Sequence, residues 1–219
     1  MEDKIPVLDL IFVIDSTASM DPMIEFFNRD LFRCVNTMRS SVNRSSENEH
    51  VRVRFLLFRD LDSPEGFLHQ SPLFDARDSS SIKEFASTLR ASGGGDLEED
   101  GFAALVEALR LEDPSDEEKY AYRKRKILLF SDADTKIPDP SLGYPTSVEE
   151  LADIINEKKR GYGIDVKNLR IVLFAPKNTR YQALAKLTDD RVSLRSTGDL
   201  GDGKIGLLWN DPRYIMSFC

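Results

Sequence analysis

Three oxygen-bearing side chains recur at steps of two near the start of the chain: Asp15, Thr17 and Ser19, within Ile14-Asp15-Ser16-Thr17-Ala18-Ser19-Met20. One carboxylate and two hydroxyls are hard donors, the type that Mg²⁺ takes. Mg²⁺ demands about six oxygens at roughly 2.0–2.1 Å and keeps some of its water, so one loop cannot complete a site. Two further stretches offer the rest. Gly93-Gly94-Gly95-Asp96 puts a carboxylate after a pliant turn, and Ser131-Asp132-Ala133-Asp134 puts acids directly after a short apolar run. Acidic groups crowded into one crevice repel one another unless a cation neutralises them. The chemistry to expect is the binding of one divalent cation by Asp15, Thr17, Ser19, Asp96 and Asp132. The small, hydroxyl-rich loop favours Mg²⁺, with Mn²⁺ and Ca²⁺ as alternative ions.

Simpler readings stand beside this one. Asp15-Ser16-Thr17 can cap the helix that follows, since Ser19 or Asp21 before Pro22 makes a good helix start. Asp60 and Asp62 read as turn residues, and Asp134 as a residue that shapes its own turn. Glu98, Glu99 and Asp100 read as the start of a helix, where negative charge suits the dipole; Glu99 could also orient the hydration shell of an ion. His50 and His69 are separated and flanked by strand residues, which argues against zinc.

A metal-dependent phosphatase or hydrolase is the alternative function. Asp132-Ala133-Asp134-Thr135 has the acid pair of a haloacid-dehalogenase-type enzyme, but that pattern needs Thr or Val at the fifth position, where this chain has Lys136. Asp15 lacks a second Asp at Thr17. No phosphate-binding G-x-x-x-x-G-K-[ST] loop exists, and no G-x-G-x-x-G follows the first strand. With two histidines, no Ser-His-acid set is evident. A scaffold whose metal site is only structural is a further alternative.

The elements that must position these side chains alternate in type. Val7 to Ile14 reads as a buried strand. Ile24, Phe27, Leu31, Cys34, Val35 and Met38 recur at helical spacing between Pro22 and Arg39, and polar residues 40–49 read as a loop. Val51 to Phe58 is a second strand. The connection through Asp62-Ser63-Pro64-Glu65-Gly66 is too short for a helical crossover, so a third strand, Phe67 to Phe74, should lie antiparallel to it. Helices follow around Ile82–Leu89 and Phe102–Leu109. Ile127 to Phe130 is a short apolar strand. Ser147-Val148-Glu149-Glu150 fits a capping box for a helix through Ile155. Leu169–Phe174 is a strand, Tyr181–Leu187 a helix and Val192–Leu194 an edge strand. Alternation of this kind implies a mostly parallel, doubly wound α/β sheet with helices on both faces. In such sheets the loops at the carboxyl ends of the strands converge on one crevice.

Length and composition agree with that class. The 219 residues, 41% hydrophobic and 31% charged, suit one domain with a substantial core; the expected core is residues 7–196, with 197–219 an unassigned tail. A formal net charge of -8 disfavours nucleic acid and anionic membrane as partners. The run Arg123-Lys124-Arg125-Lys126 reads as a solvated strand entrance. Cys34, on an apolar helix face, and Cys219 make no disulfide framework. The first residues show no signal pattern and no apolar run approaches ~20 residues, so a cytoplasmic protein is expected.

The motifs together resemble a known family. Asp15-Ser16-Thr17-Ala18-Ser19 resembles the D-x-[ST]-x-S signature of the metal-ion-dependent adhesion site (MIDAS) of von Willebrand factor A domains, and Ser131-Asp132 resembles the [TS]-D after the fourth strand. Phe58-Arg59-Asp60 and Gly94-Gly95-Asp96-Leu97-Glu98-Glu99-Asp100 resemble the Y-R-D and G-G-D-x-P-E-D segments of an intracellular subset, including domains attached to alpha-kinases and those of bacterial and protist signalling systems. The resemblance implies a Rossmann-like sheet of order 3-2-1-4-5-6 with strand 3 antiparallel. It implies Thr17 and Ser19 as direct ligands and Asp15 and Asp132 as direct or water-mediated ones. It also implies a metal-dependent protein–protein interaction rather than catalysis, within a larger signalling or regulatory assembly, with a protein partner that supplies an acidic metal ligand. Two departures stand out. Asp96 occupies a position usually held by Thr in adhesion-type members, and a third carboxylate there would favour retention of the ion over capture of a partner's acid. Glu98 stands where the subset often has Pro.

Overall fold

The structure is a computed structural model that describes residues 5–45, 49–94, 98–111, 120–156 and 168–199. Asp96 and the tail beyond Asp199 lie outside the described residues.

The first strand, β1 (Ile5–Asp15), leads through a 3-10 turn at Ala18–Met20 into α1 (Asp21–Ser45). Then come β2 (His50–Phe58), β3 (Leu68–Gln70), β4 (Phe74–Asp75), α2 (Ser79–Thr88), β5 (Glu98–Glu99) and α3 (Gly101–Arg110). The chain continues through β6 (Tyr120–Phe130), β7 (Asp134–Thr135), α4 (Val148–Ile155), β8 (Leu169–Lys177), α5 (Arg180–Leu187) and β9 (Val192–Asp199). The main sheet runs β3-β2-β1-β6-β8-β9, with β4 also on β2. β1, β2, β6, β8 and β9 are mutually parallel; β3 and β4 lie antiparallel on β2. This is the 3-2-1-4-5-6 order, with β6, β8 and β9 as fourth, fifth and sixth strands.

Alternation along the strands builds two cores. Leu10, Phe12 and Ile14 of β1 face α1 and α2, packing with Phe27, Leu31, Val35 and Ile82. Ile11 and Val13 face the other way, toward α3, α4 and α5, with Phe102, Leu105, Leu151 and Leu184. Period-two side-chain direction in a sheet buried on both faces produces this split.

The third strand is broken where a continuous one was expected. Leu56 is level with Gln70 but Val53 with Phe74, a slip of one residue. Ser71 fills the gap: its N–H donates to Phe55 O (2.9 Å), and its Oγ accepts from Phe55 N (2.9 Å). Pro72, lacking an N–H, follows at the interruption. The first helix also runs on to Ser45 through the stretch expected as a loop. No Gly or Pro interrupts residues 40–45, and the Thr37 and Ser40 hydroxyls donate back to Arg33 O and Asn36 O, so the polar residues do not break the helix.

Two basic and acidic stretches depart from expectation. β6 begins at Tyr120, so the basic run lies inside the strand. Arg125 is buried rather than solvated, and its guanidinium donates to the carbonyls of Ala108, Leu109 and Leu111 at the end of α3. A cation there satisfies carbonyls that the helix leaves unpaired. Glu98 and Glu99 do not begin a helix. They form β5, which pairs parallel with β7, and α3 starts at Gly101. The backbone of 98–99 is taken up by 134–136, with Lys136 N donating to Glu99 O at 2.8 Å. An α3 amide is satisfied from outside the helix: Phe102 N donates to Thr135 Oγ1 (2.8 Å).

The capping box is half formed. Ser147 Oγ accepts from Glu150 N at 3.0 Å, while the Glu150 carboxylate reaches past Ser147 to Thr146 N and Oγ1.

Candidate metal centre

β1 and β6 are neighbours, with Ile14 level with Phe130, so the residues that follow them emerge side by side. Asp15 closes β1. Its Oδ1 accepts from Thr17 N (2.9 Å) and Thr17 Oγ1 (2.6 Å). Its Oδ2 accepts from Ser131 Oγ (2.9 Å), across from the end of β6. Thr17 Oγ1 lies 3.3 Å from Ser19 Oγ, and Ser19 Oγ donates to Asp132 Oδ1 (3.1 Å). Asp15, Thr17, Ser19, Ser131 and Asp132 thus form one connected hydrogen-bond chain at the carboxyl edge of the sheet. Four of the five expected ligands are brought together. The fifth, Asp96, lies outside the described residues. Ser131 is a member that oxygen spacing alone did not single out; its place in the Ser131-Asp132 pair was the available signal.

The loop bearing Asp15 is pinned on both sides. Ser16 N and Oγ both donate to Phe58 O. Ala18 N donates to Gly93 O (3.1 Å) and Ser92 N to Ser16 O (2.9 Å), which draws the glycine-rich segment onto the site. Gly94 has φ +80°, and a Cβ there would stand 3.0 Å from Thr17 Cβ and 3.5 Å from Glu99 Oε1. The backbone approaches too closely, and in too unusual a conformation, for a side chain. Arg59 holds the same segment by donating from Nε to Ser92 O and from Nη2 to Ser92 Oγ.

Burial of acid groups is the dominant electrostatic feature. Asp15 is fully buried, and its pKa is raised from 3.8 to about 6. Burial drives that shift, against the lowering hydrogen bonds from Thr17, and the Asp132 charge adds to it. Burial likewise raises Asp132, opposed by the Ser19 hydroxyl. Asp100 is raised by burial too, although Leu61 N donates to its Oδ2 at 2.8 Å. Glu99 is raised by burial first, then by the charges of Asp15 and Asp60.

Around the network, other charges are spoken for. Lys136 Nζ pairs with Asp60 Oδ1 at 2.7 Å, so Asp60 does more than shape its turn. Asp134 Oδ1 accepts from Thr135 N and Arg180 N, both at 2.8 Å. Asp134 therefore serves its own turn and the start of α5, and does not join Asp132 as an acid pair. Arg180 also pairs with Glu98 (2.7 Å). Tyr181, fully buried, lies under the site against Gly101, where a Cβ would meet its hydroxyl at 1.8 Å. Nothing in the residue pattern singled out Tyr181 beyond its place on an apolar helix face.

No family model matches the sequence, and no curated protein matches it at a significant level. Solved structures do match. The SpRpn10 VWA domain aligns with a TM-score of 0.56 at 13% identity, over 95% of this chain and 96% of that domain. The pilus adhesin SpaC from Lactobacillus rhamnosus GG, in its open conformation, aligns with a TM-score of 0.52 at 15% identity, over 100% of this chain and 31% of the adhesin. A second structure of that adhesin gives 0.54 at 14% identity with the same coverage. This chain thus spans less than a third of the adhesin's length. Among the described residues no helix is long and apolar enough to cross a membrane. The strand order, the antiparallel β3 and these structural likenesses establish that the chain has a von Willebrand factor A-like fold.

Proposed function

We propose that the chain is a protein-interaction module whose binding face is organised by one divalent cation, with Mg²⁺ the ion that best suits its donors. The observation that carries this reading is the convergence of Asp15, Thr17, Ser19 and Asp132 from two loops separated by more than a hundred residues. Two carboxylates and two hydroxyls in one patch are an oxygen set for a small hard cation. The raised pKa of Asp15 adds support, because a buried carboxylate near a second one is a group that a cation would relieve. Asp96 is proposed as a further ligand from the glycine-rich loop, favouring retention of the ion.

Thr17, Ser19 and Asp132 would hold the ion directly. Asp15, already holding Thr17 and Ser131, would orient the hydroxyls and add its charge. The bound ion would supply a Lewis-acidic position at the surface, open to an acidic side chain of a partner protein. The structural relatives, a VWA domain and a pilus adhesin, are consistent with an interaction role. A cytoplasmic assembly is part of the proposal, resting on the two cysteines, which make no disulfide framework.

Calorimetric titration of Mg²⁺ into the wild type and Asp15→Ala, followed by affinity capture of partners with and without chelator, tests the reading. Saturable one-site binding lost in the variant, together with chelator-sensitive capture, is the expected result. Absence of Mg²⁺ binding, or equal capture under both conditions, rejects it.

A further inference from the structure

We propose that Glu99 is a positioning residue of this cation site: its buried carboxylate, held behind Thr17 by the glycine-rich loop, accepts a hydrogen bond from the ion's hydration shell and tightens retention of the ion. The inference rests on the cation-site reading above and adds a residue that the two signature loops do not contain.

Three observations point at Glu99. It is only 3% exposed, and its Oε2 accepts no hydrogen bond from a donor among the described residues, its side-chain neighbour there being another acid, Asp60. A buried carboxylate oxygen without a donor is costly, so such an atom calls for a ligand, an ion or a water. Second, its direction is fixed: the place where a Gly94 Cβ would sit is 3.5 Å from Glu99 Oε1 and 3.0 Å from Thr17 Cβ, so the carboxyl lies just across Gly94 from the proposed ligand Thr17. Third, the segment is anchored. β5 pairs with β7, Glu99 O accepts from Lys136 N, and β7 begins two residues after Asp132. The backbone that carries Glu99 is therefore tied to the loop that carries Asp132.

The neighbour Glu98 shows the contrast. Its side chain is 43% exposed and spends its charge on Arg180 at 2.7 Å. Glu98 and Glu99 are adjacent in a strand, so they point to opposite sides, one to a surface ion pair and one into the interior. Groups that orient a metal's hydration or ligands typically alter affinity by about 10- to 100-fold when removed.

The test compares the full chain with Glu99→Gln and Glu98→Gln, using Mg²⁺ and Mn²⁺ as probes in calorimetry, with thermal unfolding in chelator and in excess Mg²⁺. Glu99→Gln is expected to weaken ion binding about 10- to 100-fold, while Glu98→Gln stays within about twofold. In chelator Glu99→Gln is expected to melt at or above the wild-type temperature, because it removes a buried acid crowded by Asp60 and Asp15, and to lose most of the Mg²⁺-induced rise. A residue with only a structural role would lower the melting temperature in chelator and leave the affinity unchanged; that result overturns the proposal. Equal weakening by Glu98→Gln also overturns it. If the wild type binds neither ion, the cation-site reading falls and this inference with it. Wild-type binding with an unaffected Glu99→Gln removes the inference alone.

Discussion

Ser131 Oγ donates to Asp15 Oδ2 at 2.9 Å, joining residues 116 positions apart in the chain. That bond ties the end of β1 to the end of β6 on the side of the sheet where Thr17, Ser19 and Asp132 also gather. It also leaves Asp15 accepting from both flanks, two donors at Oδ1 and one at Oδ2. Burial nevertheless outweighs these hydrogen bonds, and Asp15 remains harder to ionise than in water.

The first prediction concerns pH. The folded pKa of Asp15, about 6, lies above its unfolded value of 3.8, so the folded state favours the neutral acid. Without divalent cation, this group's contribution is most favourable below about pH 4. It declines as pH rises through about 6 and is level above that. The cost at neutral pH is on the order of 3 kcal/mol. Asp15→Asn is expected to flatten this slope and, in chelator at pH 7, to unfold at higher denaturant than the wild type. A steeper slope in the variant would contradict the assignment.

Cation binding should appear as stability. Mg²⁺ at about a hundred times its Kd would add ~2.7 kcal/mol, or roughly 5–10 °C in Tm for a domain of this size. Asp132→Asn and Thr17→Ala are expected to remove most of that rise. Differential scanning calorimetry with and without chelator measures it.

The contact between Gly101 and Tyr181 predicts an overpacking defect. Gly101→Ala places a methyl 1.8 Å from the Tyr181 hydroxyl and 3.0 Å from its ring carbon. The expected loss is at least about 1–3 kcal/mol. Tyr181→Phe removes the hydroxyl, which lies beside Thr135 and Ser131, so combined with Gly101→Ala it is expected to recover part of the loss. Urea unfolding of the two single variants and the double variant gives the cycle.

Arg125 predicts a cost on the opposite side of the sheet's chemistry. Arg125→Met leaves the carbonyls of Ala108, Leu109 and Leu111 without their guanidinium donor. A loss on the order of 3 kcal/mol is expected. Arg170→Met, at an exposed β8 position, should stay within about 0.5 kcal/mol. Equal effects of the two changes in chemical denaturation would refute the capping role.

The elements were legible in the sequence because apolar periodicity is a local property, whereas the order of the sheet came from the resemblance of the motifs to von Willebrand factor A domains. Alternating residues such as Phe12 and Val13 must face opposite layers once both faces are covered. The short link before Leu68 left room only for an antiparallel return. Asp15, Thr17, Ser19 and Asp132 were legible as oxygen donors placed where strands end. What the residues alone did not decide is where charge goes when two distant segments meet. Arg125 looked like part of a solvated run because its partners are carbonyls at the end of another element, which carry no side-chain signature. Glu98 and Glu99 looked like the start of a helix, yet the backbone of β7 offered them a ladder, and that pairing sends one acid to Arg180 and the other inward. Local propensity is a weak prior whenever a neighbouring strand can complete the backbone's hydrogen bonds. The sequence by itself determined the layers and the oxygen-donor character of the loops that meet at the ends of β1 and β6, since these follow from residue type and spacing. Only the tertiary structure decided which acids lie together, which are paired and which is left buried without a donor, because burial and distance exist only once the chain has folded.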